Sequence, residues 1–114
     1  MEFIRVYTGD DDRSHFEAID AERAAEWSHG VQANHCAVRQ MAPGTFMDWH
    51  PAPQRQIFAH LGGRLEIELE DGSKHVFGSG SLRLMDDLTG KGHLTRVLGE
   101  EPVQMMLVRL PDAN

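Results

Sequence analysis

The chain has 114 residues, 40% hydrophobic and 25% charged, a length and balance that suit one soluble domain with a single core. Eighteen acidic residues against eleven basic ones give a formal charge of −7, which argues against nucleic acid as a partner, because phosphate binding rests on clustered Lys and Arg. No window approaches the ~18 apolar residues of a membrane span, and Met1-Glu2-Phe3-Ile4-Arg5 lacks the basic-then-apolar order of a signal peptide. The single cysteine, Cys36, has no internal disulfide partner, so a reducing cytoplasm is the expected compartment.

Short apolar stretches separated by turn residues recur along the chain, the pattern of an all-β sandwich or barrel. Residues 3–7 read as a first strand closed by Thr8-Gly9-Asp10, and the acidic run Asp10-Asp11-Asp12 reads as a solvated loop. Residues 15–19 suit a second strand, and residues 21–27 are the one stretch of helix-forming composition. Residues 35–41 alternate weakly and end at Pro43-Gly44, a turn dipeptide. Residues 45–49 are rich in aromatic and β-branched side chains, as strands are.

Residues 55–61 and 64–70 flank Gly62-Gly63, which predicts a hairpin. In the second run Leu65, Ile67 and Leu69 alternate with Arg64, Glu66, Glu68 and Glu70. The aliphatic side belongs to the core and the glutamate row to solvent. Asp71-Gly72 marks a further hairpin turn before a short strand at 75–77. Strands at 81–86, 93–98 and 103–110 complete the set. The glycine-rich loop Thr89-Gly90-Lys91-Gly92 opens no helix and so is not read as a phosphate cradle. Met85, Met105 and Met106 read as core filler.

Period-two alternation groups the chemistry-bearing residues. Gln56, Phe58 and His60 share one face of residues 55–61; Phe46, Asp48, His50 and Ala52 share another; His93, Thr95 and Val97 share a third. If these faces look into one small barrel, His50, Gln56, His60 and His93 converge in its interior, which is wide enough for one ligand or ion. Imidazole suits zinc, iron, copper and nickel. Phe46 and Phe58 would stand beside these groups as core or as pocket wall. His15, His29, His35 and His75 read as surface or half-buried polar residues.

The spacing also resembles that of the small single-domain cupins. Their first motif is Gly, five residues, His-x-His, three or four residues, Glu, six residues, Gly. Here Gly44 is followed by five residues and His50, Gln56 stands where the glutamate belongs, and Gly63 follows after six more. The second motif opens at Gly80, with sixteen residues between it and Gly63, and Gly90-Lys91-Gly92-His93 supplies its Gly-x-x-His. Ala52 replaces the second histidine, Leu88 the proline and Val97 the asparagine, and the second motif is two residues longer before its histidine.

The resemblance covers about residues 36–110 and implies a cupin-type double-stranded β-helix, or jelly-roll barrel, spanning residues 1–114 as one domain. It implies a divalent transition metal (Fe, Mn, Ni, Zn or Cu) at His50 and His93, with Gln56 as a neutral oxygen donor and His60 replacing the lost histidine. Phe46, Asp48 and Phe58 are the corresponding candidates for contact with a small-molecule substrate. Dioxygenase, isomerase, decarboxylase or lyase chemistry is the implied activity. A metal-free ligand-binding domain and an interaction module are the other readings. A homodimer, paired through the strand at residues 3–7, is expected, as is common in cupins.

Overall fold

Ten strands and one short helix follow one another in the computed structural model, which describes residues 2–111. They are β1 (Phe3–Thr8), β2 (Ser14–Ala18), α1 (Ala21–Ser28), β3 (His35–Met41), β4 (Phe46–His50), β5 (Gln56–Gly62), β6 (Arg64–Glu68), β7 (Lys74–Phe77), β8 (Leu82–Asp86), β9 (His93–Leu98) and β10 (Val103–Arg109). The helix starts at Asp20, whose side chain accepts a hydrogen bond from the Arg23 amide at 2.9 Å, as N-caps do. No helix among the described residues is long and apolar enough to cross a membrane.

Hydrogen bonding sorts the strands into a six-stranded sheet, β2-β1-β8-β5-β10-β3, and a four-stranded sheet, β4-β9-β6-β7. The result is a jelly roll in which two sheets face each other without hydrogen bonds closing them into a continuous barrel. Val6, Phe58 and Leu107 from the larger sheet meet Leu65, Ile67, Phe77 and Val97 from the smaller one in the main core. Each such apolar side chain, removed from water, contributes about 1.5–3 kcal/mol. A second cluster of Phe3, Ile19, Leu84 and Leu110 packs on the other face of the larger sheet. There the α1 residue Trp27 meets Phe3 edge to face, with ring centroids 5.4 Å apart.

Four expectations need correction. Gly62-Gly63 does not turn a hairpin: β5 pairs with β8 and β10, whereas β6 pairs with β7 and β9, so the chain crosses between sheets there. Gly63 has φ +74°, and a Cβ on it would lie 2.4 Å from the Pro102 carbonyl oxygen. The first strand cannot offer an edge to a second copy, because β1 is paired antiparallel with β2 and parallel with β8. Met106 is not core: it is 39% exposed while Met105 and Leu107 on either side are buried, as strand alternation requires. Finally, the glutamates of β6 are not merely solvated, since Arg96 on β9 reaches Glu66 at 3.0 Å and Glu68 at 2.7 Å. The Asp71-Gly72 turn does form a hairpin between β6 and β7.

Candidate ligand cleft

His50 owes its direction to an irregularity in β4. Met47 stands opposite Thr95, and a regular ladder would then set Trp49 opposite His93; instead His50 does so, and β4 carries one extra residue. Such a bulge reverses which side chains face inward. Met47 and His50 therefore line the cleft between the sheets. Phe46 and Asp48, expected to share that face, stand outside it: Phe46 is 54% exposed, beside the Arg96 guanidinium, and Asp48 is exposed. Within the bulge, His50 Nδ1 donates to the Asp48 carbonyl at 2.7 Å. A carbonyl only accepts, so Nδ1 carries the proton and Nε2 is the ring nitrogen open to a ligand.

His93 is placed the same way from the neighbouring strand. Its Nδ1 donates to Asp87 Oδ2 at 2.6 Å, and the same carboxylate oxygen accepts from Ser14 Oγ at 2.7 Å. All three residues are buried. A carboxylate behind an imidazole fixes the ring's tautomer and orientation, again leaving Nε2 open. Gly92 lets the two histidines meet: it has φ +82°, and a Cβ on it would lie 2.0 Å from the His50 carbonyl oxygen. The His50 and His93 rings sit with centroids 4.6 Å apart.

The opposite wall comes from β5 and β8. Gln56 and Phe58 line the cleft, and among the described residues no hydrogen bond claims the Gln56 amide. His60 points the same way but is taken. Arg83 Nε donates to His60 Nε2 at 3.1 Å, and the His60 ring stacks on Phe77 with centroids 5.5 Å apart. Burial first, then the Arg83 charge, push the His60 pKa down to about 3. Arg83 itself is 4% exposed, with its guanidinium 4.0 Å above the centre of the Phe58 ring. Burial pushes its pKa down to about 9, partly offset by Asp87, so the guanidinium keeps its charge at neutral pH.

The cleft has a volume of about 410 Å³, within the usual range for a small-molecule site. Among the described residues two arginines and two histidines line it, and no carboxylate does, in a chain carrying eighteen acidic residues. Nor do the described residues include a group of three His, Cys, Asp or Glu side chains placed to hold a metal ion. What the cleft offers is two imidazoles and a neutral amide in the company of a buried cation. That set fits a resident divalent ion poorly, because carboxylate donors normally offset the ion's charge and a guanidinium opposes it.

The structure thus brings His50, Gln56, Phe58 and His93 to one cleft, sets His60 behind Arg83 and leaves Phe46 and Asp48 outside. Arg83 and Asp87, which organise the site, carry no local signal. In residues 81–86 both alternation phases hold apolar side chains, so the pattern does not tell which face looks inward. The nearest hint is Asp87 six residues before His93, an acid within reach of a histidine across one turn.

No protein-family model and no curated protein matches this sequence. Solved structures do. The chain is similar to a cupin 2 conserved barrel domain protein from Salinispora arenicola, with 22% identity and a TM-score of 0.52 over 67% of this chain and 61% of that one. It therefore spans less than two thirds of that protein's length. It is similar over more of its own length to the Schizosaccharomyces pombe Cnp3 cupin domain, with 12% identity, a TM-score of 0.56 and coverage of 97% and 84%. The Drosophila melanogaster CENP-C cupin domain gives 12% identity, a TM-score of 0.53 and coverage of 93% and 70%. At these identities the likeness establishes the fold: the chain folds as a small cupin-type domain.

Proposed function

We propose that this chain is a small-molecule-binding cupin domain whose cleft works without a resident metal. The observation that carries this reading is the Arg83 guanidinium, which shares the cleft with His50 and His93 and takes the lone pair of His60 Nε2. A ligand would meet open Nε2 atoms on His50 and His93, which accept hydrogen bonds when neutral, the Gln56 amide, and apolar walls from Phe58 and methionines. Metal analysis of the purified protein, with His50→Ala and His93→Ala beside the wild type, tests the reading together with thermal denaturation against a small-molecule library. Metal well below one equivalent and a ligand-dependent rise in Tm are expected. One equivalent of metal, lost in both variants, would overturn this reading and favour the metal-dependent enzyme instead.

A second reading, an interaction module that self-associates, draws on Val38 and Met106. They are cross-strand neighbours on the outer face of the larger sheet, 71% and 39% exposed. Size-exclusion chromatography with light scattering decides it: a monomer at micromolar concentration removes this reading.

A further inference from the structure

Building on the reading of the cleft as a metal-free pocket, we propose that its ligand is a small organic monocarboxylate whose carboxylate is held by Arg83. A buried guanidinium ordinarily has an acidic partner, because an uncompensated charge in a dry interior is strongly unfavourable. Among the described residues no acid lies within ion-pair distance of Arg83. Its partners are the neutral His60 Nε2, the Met105 sulfur 3.7 Å from Nη2, and the face of Phe58. Nη1 has no acceptor there. The acid that acts on it electrostatically, Asp87, has one oxygen committed to Ser14 and His93. Its other oxygen, Oδ1, is buried without a partner, and Asp87 offsets the Arg83 charge only from beyond ion-pair distance. What the guanidinium lacks is an oxygen acceptor in direct contact, and that is left for the ligand to bring.

The chemistry of the surroundings narrows the anion. One buried guanidinium offers one direct contact for an anionic group. The helix α1 packs on the other face of the larger sheet, so its N-terminus does not assist a phosphate dianion here. Nη1 and Nη2 present the planar fork that a carboxylate matches with two oxygens. The rest of the ligand meets Phe58 and the thioethers of Met41, Met47 and Met105, which adapt to an apolar body. The volume limits that body to roughly a dozen non-hydrogen atoms. A hydroxyl on it would donate to Nε2 of His50 or His93. Arg39, exposed at the mouth, adds a second positive charge on the approach.

Calorimetric titration of the wild-type protein with hexanoate, benzoate and 3-hydroxybenzoate, each against its own amide, tests the assignment without any variant. At least one acid is expected to bind about tenfold or more tighter than its amide. Arg83→Met should abolish that preference, while Arg83→Lys keeps part of it. Amides that bind as tightly as the acids would overturn the carboxylate assignment and leave the ligand pocket standing. One equivalent of bound metal with no acid binding at millimolar concentration would overturn both. No binding of any acid, with or without metal, overturns the carboxylate assignment.

Discussion

Arg83 Nε and His60 Nε2 lie 3.1 Å apart, and this one bond settles the state of both side chains. The guanidinium has only protons to give, so His60 must accept through Nε2 and carry its own proton on Nδ1. That Nδ1 is buried without a partner among the described residues. Protonating His60 would place a second positive charge beside Arg83 in a space with little water.

The pH dependence of stability follows from this. His60 has a folded-state pKa of about 3, against 6.5 for an unperturbed histidine, so the unfolded chain binds its proton more readily. Its contribution is fully present above pH 6.5 and is lost as pH falls through the window down to about 3, up to roughly 5 kcal/mol in all. His60→Gln keeps an acceptor for Arg83 and removes the titration. Urea unfolding between about pH 7 and 4 should show a shallower fall in stability for the variant. Parallel curves would mean that His60 does not carry this proton linkage.

Gly92 and Gly44 make a matched pair. Both have positive φ, at +82° and +79°, but a Cβ on Gly44 meets nothing within 4 Å whereas one on Gly92 runs into the His50 backbone. Gly44→Ala should lower stability by about 1–2 kcal/mol, the strain of the left-handed region. Gly92→Ala should lower it by about 2 kcal/mol more and disturb the His50 and His93 ring resonances in NMR spectra. Equal effects of the two substitutions would show that the loop before β9 does not hold the histidines together.

Asp87 is the acceptor on which two buried donors depend. Asp87→Ala leaves both the Ser14 hydroxyl and the His93 N–H unsatisfied and should lower stability by about 2–4 kcal/mol; Ser14→Ala should lower it by about 1 kcal/mol. Because both substitutions break the same hydrogen bond, the double variant should lose measurably less than the sum of the singles. Strict additivity in denaturant titrations would count against a shared network.

Strand order aside, much of the fold was legible, and the reasons are local. β5 and β6 are regular, so period two alone set Gln56, Phe58 and His60 on one face and Leu65, Ile67 and Leu69 on another. β4 was not legible past Met47, because a bulge leaves no mark in composition and moves every later side chain to the other face. Gly62-Gly63 has the same appearance whether the chain folds back on itself or crosses to a second sheet; the choice is made by β8 and β9, which come much later in the chain. Period two also places His60 on the inner face. Its capture by Arg83 was not visible, because that contact joins residues 23 positions apart across neighbouring strands.

The most direct measurement of whether Arg83 sets the character of the cleft is the affinity for Co²⁺ in the wild type and in Arg83→Met, by calorimetry at neutral pH. A like charge in the same cleft opposes a divalent ion by more than about 1.4 kcal/mol, so removing it should tighten binding at least about tenfold from a weak wild-type value. Wild-type protein that takes up one tightly bound equivalent, unchanged when Arg83 is replaced, would contradict it.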